Sequence, residues 1–181
     1  MEKTYIGIDP GSVGFITAIF PDGKKEFYSI DENDDLSLGR ILKDIKKRSW
    51  EVVACMEQIH AIFGSSAGST FAFGEIFGIL KGLLIANEIP YHLVPPKEWQ
   101  KEIWIHQDEI YVNKTRNITD KETGVKVPKT IKAVDPKPTS FNAARRIFPN
   151  VDLRKNERCR KLDDNKCDSL LIAEYARRKN L

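Results

Sequence analysis

Cysteine is scarce in this sequence, and the pattern of the few cysteines excludes two ways of stabilising a small fold. The three that are present, Cys55, Cys159 and Cys167, are an odd number and lack the CxxC spacing of zinc sites. Neither a disulfide framework nor a zinc site is expected, so these residues should be packing residues or free thiols. The sequence also shows no Ser/His/Asp or Cys/His pattern for nucleophilic catalysis.

Long apolar stretches and internal repeats are lacking as well. Without a run of about twenty apolar residues or a basic-then-apolar leader, neither a membrane span nor a secretory signal is expected. This favours a cytoplasmic protein without a membrane partner. The 181 residues, 41% of them hydrophobic and 30% charged, have the composition of a folded protein, and we predict a single domain over residues 1–181.

A β-hairpin is predicted at the start of the chain. Two β-rich apolar runs, 5–8 and 15–20, flank a Pro-Gly-Ser-Val-Gly turn. Asp9 is the last residue of the first predicted strand, beside a turn whose Gly11 and Gly14 would let a charged substrate or a metal ion approach the backbone. The alternative is that the Asp9 carboxylate only accepts hydrogen bonds from the turn amides.

The pattern at Asp9 is repeated further along the chain. The predicted strand Glu51–Glu57 is a short apolar run that ends in an acid, as a buried strand with a carboxylate at its exit would. The stretch 60–70 is rich in Gly, Ser and Ala and predicts a mobile loop beside Glu57, where a substrate could enter.

The order of the remaining elements predicts an α/β fold. A third antiparallel strand at 24–30 is followed after residue 50 by alternating strands and helices. Further strands and helices are predicted at 36–50, 71–87, 89–94 and 97–104, from Thr139 or Ser140 to Ile147, and from about Asp164 to Lys179. In the helix at 71–87, glycines recur every four residues, which permits close packing in the core, the favoured alternative, or across a dimer interface; they are Gly74, Gly78 and Gly82.

Residues 106–138 differ from the rest of the chain. They have mixed charge, three prolines and few apolar residues, and we interpret them as an excursion from the core. Three structures remain open for it: an ordered flap, a small hairpin in which 109–112 pairs with 125–127, or a mobile loop.

The last predicted helix brings two further acids together. Asp164 and Asp168 are four residues apart, so both carboxylates project from one helical face. Either Asp163 or Asp164 is expected to cap the helix. Asp168 precedes the apolar residues of the buried face, so it is expected to point inward, where two like charges are destabilising unless a cation binds them.

Together the four acids form an all-oxygen set. Such a set suits hard divalent ions such as Mg²⁺ or Mn²⁺ rather than zinc. Two ions a few ångströms apart can hydrolyse a phosphodiester without a protein nucleophile, one activating water and the other stabilising the leaving oxygen. The four acids are Asp9, Glu57, Asp164 and Asp168.

Three segments carry a resemblance to a known family. Residues 6–14 (IGIDPGSVG), 56–58 (MEQ) and 161–173 (KLDDNKCDSLLIA) resemble the motifs of RuvC-type Holliday junction resolvases, especially the phage-like branch, within the RNase H-like superfamily. The resemblance implies an α/β fold with a mixed five-stranded sheet flanked by helices. It also implies a homodimer that binds four-way DNA junctions in a bacterial or phage-infected cell and nicks two strands symmetrically.

By the same resemblance, the four acids hold two Mg²⁺ ions in each active site, Mn²⁺ also supporting activity, and no small-molecule cofactor is needed. The spacing of the phage-like branch assigns Asp164, while Asp163 remains a rival because the familiar bacterial motif has its acids three apart.

Six residues are candidates for DNA contacts. Seven basic residues against two acidic ones between Arg145 and Lys161 form a candidate phosphate-binding surface, whose alternative is an ordinary solvated face. In the resembling family an aromatic residue probes the junction centre, and Phe63 is its counterpart here unless it only packs its loop. The candidates are Phe63, Lys97, Lys101, Arg145, Arg146 and Lys161.

Rival functions start from the same residues. Sugar kinases and related ATPases open with a similar hairpin, but they need a second phosphate-binding turn and a second domain, which this sequence lacks. A non-catalytic nucleic-acid-binding member of the fold would be signalled by the loss of an acid, and all four acids are present. A nuclease for flaps or forks keeps the same chemistry, and sequence alone does not separate it from a junction resolvase.

Overall fold

The structure is a computed structural model and describes residues 3–58, 66–119 and 124–181. It contains a five-stranded sheet with helices on both faces and a separate two-stranded ribbon. The strands are β1 (Lys3–Asp9), β2 (Phe15–Ile19), β3 (Lys25–Ser29), β4 (Glu51–Glu57), β5 (Tyr91–Val94), β6 (Tyr111–Thr119) and β7 (Lys126–Val134). The helices are α1 (Asp35–Lys47), α2 (Ala67–Ala86), α3 (Pro96–Ile103), α4 (Pro136–Ile147) and α5 (Asp164–Lys179), with a 3₁₀ turn at His106–Asp108.

The five-stranded sheet is mixed, as predicted. Its order is β3-β2-β1-β4-β5, with β1, β2 and β3 antiparallel and β4 and β5 parallel to β1. The central strands β1, β2 and β4 are nearly continuous apolar runs that are buried along their length, as expected for strands covered on both faces. The predicted fold class is confirmed.

Helix α5 crosses one face of the sheet and packs on β1, β2 and β4. It is buried all round from Lys166 to Ala176 because α3 and α4 cover its other side. Gly7 makes the close approach to β1 possible, since a Cβ atom there would lie under 3.0 Å from the Ser169 carbonyl oxygen and from the backbone of Ala173. Helices α1 and α2 cover the opposite face.

Two predicted helix starts are wrong. Helix α4 begins at Pro136 with Asp135 as its N-cap residue, whereas Thr139 and Ser140 lie inside it and are buried. Prolines are tolerated in a first turn because the N–H groups there have no helical partner. Helix α2 begins at Ala67 with the Ser66 hydroxyl as its cap, so 67–70 are helical rather than part of a loop. Residues 59–65 lie outside the described residues.

Helix α2 is exposed along most of its length. Of its twenty residues only Leu80 and Leu84 are buried, and no described residue lies within 4 Å of a Cβ atom built on Gly74, Gly78 or Gly82. The prediction that this glycine row packs in the core is therefore wrong.

The composition of α2 also bears on the expectation that the chain has no membrane span. By length and composition alone, α2 could cross a membrane, although such a helix by itself is weak support for a span. Small residues such as Gly, Ser and Thr interrupt the apolar ones, so the sequence has no continuous run that would have marked it.

The excursion is a β-ribbon between the 3₁₀ turn and α4. The hairpin alternative is confirmed, but the predicted pairing of 109–112 with 125–127 is wrong. Val112 is the partner of Ala133, and Val127 is the partner of Ile118 near the tip. The three cysteines are free, as expected, with Cys55 and Cys167 buried.

Candidate active site

Asp9 and Glu57 lie side by side at one end of the sheet. Each is the last residue of its strand, and β1 and β4 are parallel neighbours in which Ile8 is the partner of Met56. The carboxyl ends of parallel strands open onto the same edge. The alternative for Asp9 is not supported, because the turn amide of Gly11 bonds to the Asp9 backbone carbonyl (3.1 Å) and its carboxylate accepts no hydrogen bond from a described residue.

The start of α5 supplies the other acids. Asp163 is the N-cap, and its carboxylate accepts a hydrogen bond from the Lys166 amide at 2.9 Å. Asp164 is the first helical residue, and Asp168 follows one turn later on the same face. Because Asp163 has this capping role, Asp164 is the better placed of the two for another partner.

Electrostatics show that these acids form one group. The pKa of the Asp9 carboxyl lies well above its usual range, and burial is the largest cause. Four neighbouring negative charges raise it further, in the order Asp168, Glu57, Asp164 and Asp163. The fold therefore brings all four predicted acids within electrostatic reach of one another.

Glu57 is oriented by a tryptophan from α3. The Trp99 Nε1–H donates a hydrogen bond to Glu57 Oε1 at 2.8 Å, and the indole is fully buried. Burial raises the pKa of Glu57, and this hydrogen bond partly offsets the rise by favouring the carboxylate.

Asp168 is largely shielded from water. The pKa of the Asp168 carboxyl is raised to about 7, and burial is the largest cause. The neighbouring Ser140 hydroxyl lowers this pKa, whereas the charges of Glu57 and Asp164 raise it further. Within the described part of the chain, Asp168 Oδ1 is buried without a hydrogen-bond partner. An unpartnered buried carboxylate oxygen is unfavourable, and a cation would satisfy it.

Asp164 has a positive partner. The Lys137 ammonium, from the first turn of α4, forms an ion pair with its carboxylate and has its own pKa raised by that contact. Both side chains are partly exposed, so the pair lies at the open side of the acid group.

The four carboxylates are not arranged as a complete set of metal ligands. Among residues 3–58, 66–119 and 124–181, no three such side chains surround one point closely enough to hold a metal ion. The donor set nevertheless fits a hard divalent ion, because it consists of carboxylates, one with an unpartnered buried oxygen. Side-chain rotation, including release of Asp164 from Lys137, would be needed to complete a coordination sphere.

Two of the three lysines predicted to contact DNA lie on α3, the helix that carries Trp99. Lys97 and Lys101 are both exposed, and Lys97 is two residues from the tryptophan that orients Glu57. Their position beside the acids is compatible with a role in DNA binding, which stays a prediction. Phe63 lies outside the described residues.

The basic side chains between Arg145 and Lys161 fall into two groups, those that form ion pairs with acids of the chain and those that are exposed. Arg146 is engaged within the fold, with its guanidinium on the Asp108 carboxylate (2.7 and 3.0 Å) and on the Ile103 carbonyl (2.9 Å). Arg154 and Lys155 are held in ion pairs with acids of the same chain. Exposed cations that form no ion pair with a described residue are Arg145, Arg158, Arg160 and Lys161.

Three residues of this region were not predicted. Trp99, Lys137 and Ser140 each touch or adjoin one acid, yet they belong to α3 and α4, far from those acids in sequence. No local pattern marks such a residue, because the contact exists only once the helices have packed.

No protein-family model matches the sequence, and no curated protein matches it. Solved structures do. The Thermus thermophilus RuvC in complex with a Holliday junction substrate aligns over 98% of this chain and 96% of its own, with a TM-score of 0.53 and 12% identity. A second Thermus thermophilus RuvC structure aligns over the same shares, with a TM-score of 0.47 and 15% identity. The chain therefore has the mixed-sheet α/β fold of RuvC.

Proposed function

We propose that this protein is a metal-dependent DNA endonuclease that resolves four-way junctions by paired, symmetric nicks. The observation that carries the proposal is the group of four carboxylates at one edge of the sheet, of which Asp9 has its pKa raised by the other three. A protein with the same fold has been solved with a Holliday junction substrate. The finer assignment to the phage-like branch rests on the spacing of Asp164 and Asp168.

Each acid has a distinct part in holding the ions. Asp9 and Asp168 lie in the buried part of the site and gain most from a cation, because burial raises the pKa of each carboxyl and a bound cation would stabilise the charged form. Glu57 is fixed by Trp99, and Asp164 is at the open side. Two bound Mg²⁺ or Mn²⁺ ions would supply an activated water and a charge that stabilises the leaving oxygen.

Lys137 links the acids to the substrate. While no ion is bound, its ammonium neutralises Asp164. When Asp164 takes another partner, the exposed ammonium becomes available for a DNA phosphate at the mouth of the site.

We further propose that the active unit is a homodimer formed through α2. This helix exposes an apolar stripe that includes Phe71, Gly78 and Ile85, and glycines in the stripe let another backbone approach closely. Two nicks placed symmetrically across a junction need two active sites related by a two-fold axis.

The experiment that tests the nuclease is cleavage of an immobile four-way junction, with a linear duplex and a forked duplex alongside, in Mg²⁺, in Mn²⁺ and in EDTA. We expect paired nicks confined to the junction and dependent on the metal. Asp168→Asn should abolish the nicks while leaving junction binding intact, whereas Asp44→Asn, a carboxylate on the surface of α1, should change neither.

Other outcomes redirect the proposal. Equal cutting of forks would make the protein a broader branched-DNA nuclease. Retained cleavage by Asp168→Asn would remove Asp168 from the site. Tight binding to junctions without cleavage under any metal condition would favour a non-catalytic nucleic-acid-binding protein.

A further inference from the structure

The ribbon formed by β6 and β7, hereafter the basic ribbon, is the most positively charged element of the chain. Its two strands hold five basic residues and no acidic ones; the basic residues are Lys114, Arg116, Lys126, Lys129 and Lys132. With the residues between the two strands included, six basic and two acidic residues give 111–134 a net charge of +4, against +3 for the whole chain. The rest of the protein is therefore close to neutral, and the excess charge is on this one projection.

The charge of the ribbon is not neutralised by the fold. Lys114, Lys126 and Lys129 form no ion pair within the described ranges, and the Lys132 ammonium lies over the Tyr111 ring at 4.8 Å from its centroid. A polyanion lying along the ribbon would neutralise these charges.

The ribbon does not have the features of a surface for the addition of another strand. Its β7 strand is exposed from Lys126 to Thr130, and Pro128 lacks the amide that an added strand would need. Lysine and proline on open edges are the means by which proteins prevent strand addition. The partner that these residues suit is an anionic one.

The root of the ribbon is bonded to the core by several hydrogen bonds. The Asp135 amide donates to the Ile110 carbonyl at 2.7 Å, and the Ile110 amide donates to Thr139 Oγ1 at 3.0 Å. Just before β6, the buried Asp108 carboxylate accepts two hydrogen bonds from the guanidinium of Arg146 on α4. These bonds give Arg146 a structural role and join the root of the ribbon to α4.

The same helix connects the ribbon to the candidate active site. Helix α4 begins two residues after β7 ends, and in its first turns Lys137 contacts Asp164 and Ser140 adjoins Asp168. The ribbon therefore starts close to the acids and projects away from the core.

We propose that the basic ribbon binds a duplex arm of the DNA substrate next to the scissile phosphate, lying along a groove. Nine residues per strand give a length of about 30 Å, or roughly nine base pairs, and the major groove of B-DNA admits a two-stranded ribbon. This inference rests on the proposed function for the identity of the substrate, but it concerns binding and can be tested without cleavage.

The test is junction binding in EDTA as a function of salt and arm length. The variant replaces Lys126, Lys129 and Lys132 with Gln, and the matched control replaces Lys43, Lys46 and Lys47 of α1 with Gln. The plot of log affinity against log salt has a negative slope. We expect this slope to become less steep by about 2 to 3 in the ribbon variant and to be unchanged in the control. Wild-type affinity should rise between arms of about 7 and about 20 base pairs, closed by hairpin loops, and the variant should lose that gain.

The outcomes separate the ribbon from the nuclease. Equal salt slopes for the ribbon variant and the wild type would overturn the ribbon proposal whether or not the protein cuts DNA. A ribbon-dependent gain with arm length in a protein that never cuts would support the ribbon and overturn the nuclease. Tighter ribbon-dependent binding to an RNA duplex than to DNA would overturn the assignment to DNA, because the A-form major groove is too deep and narrow for side chains to read.

Discussion

Asp168 is the residue whose chemistry is most sensitive to its surroundings. Its folded pKa of about 7 lies above the value of about 3.9 expected for an unfolded chain. The folded state therefore binds the proton of Asp168 more tightly than the unfolded state does. The contribution of this residue to stability is complete below the unfolded pKa and is lost as pH rises through the folded pKa.

We predict that the thermal midpoint of the ion-free protein falls as pH rises from about 4 to about 7. Asp168→Asn should flatten this fall, and Mg²⁺ should raise the midpoint more at pH 8 than at pH 5.5. Thermal scans over pH, with and without Mg²⁺, measure both effects. Asp44→Asn should keep the wild-type slope, and an unaltered slope in Asp168→Asn would contradict the burial of this carboxyl.

Trp99 is a positioning residue for Glu57. Trp99→Phe removes the hydrogen bond to Glu57 Oε1, so the carboxyl should protonate more readily and turn more freely. We expect cleavage to slow by about tenfold or more, since hydrogen bonds to charged groups contribute about 1.5 to 3 kcal/mol, and the acid limb of the pH-rate profile to move up.

Trp104 provides the matched control. Its ring packs edge-on against Trp99 with centroids 6.0 Å apart, and its buried Nε1 has no hydrogen-bond partner among the described residues. Trp104→Phe should change stability without moving the acid limb. If neither variant changes the pH-rate profile, Trp99 contributes only packing and does not position Glu57.

At this scale the sequence was informative about acids and silent about their partners. Asp9 and Glu57 could be picked out because a charge directly after a buried strand is unusual. Asp168 was placed by its position before an apolar run. Trp99 lies 42 residues from Glu57, and only the packing of α3 against the sheet edge brings them together.

Among the elements, α2 carries the clearest prediction. Ile85→Glu introduces a charge into its exposed apolar stripe, where Ile85 is 63% exposed. We expect the protein to change from dimer to monomer with an unchanged circular dichroism spectrum, as measured by analytical ultracentrifugation. Trp50→Glu, at a side chain that is 90% exposed outside α2, should remain dimeric.

A dimer that persists in Ile85→Glu would move the interface off α2. A wild-type protein that is monomeric would overturn the dimer itself, and association with lipid vesicles that Ile85→Glu abolishes would instead assign α2 to a membrane surface.

The elements themselves were predicted unevenly, for reasons that differ from one to the next. The start of α5 was recognised because an aspartate pair precedes a long apolar segment, and Asp163 does cap it. The start of α4 was missed because Thr139 and Ser140 have the side chains of caps but serve another purpose, Thr139 Oγ1 holding the Ile110 amide. The ribbon register was missed because alternating polar residues fit several pairings equally well.

At the scale of the whole molecule, the fold is shared with a protein of very different sequence. Identity to the Thermus thermophilus RuvC that aligns with a TM-score of 0.53 is 12%, yet the strand order and the crossing of α5 over β1 follow from features that many sequences satisfy. Those features are apolar central strands, a glycine where a helix touches the sheet, and a capped buried helix. The acids are the part of the pattern that packing does not require.

The ribbon enters and leaves the core at a single point, where Asp135 and Ile110 are joined by a backbone hydrogen bond. For the core, everything between them is an insertion, and neither strand of the ribbon pairs with the main sheet. The ribbon is thus a separable module whose length and charge can vary while the acids stay in place. Under the proposed function, reach along DNA and the chemistry of cutting it can then evolve independently.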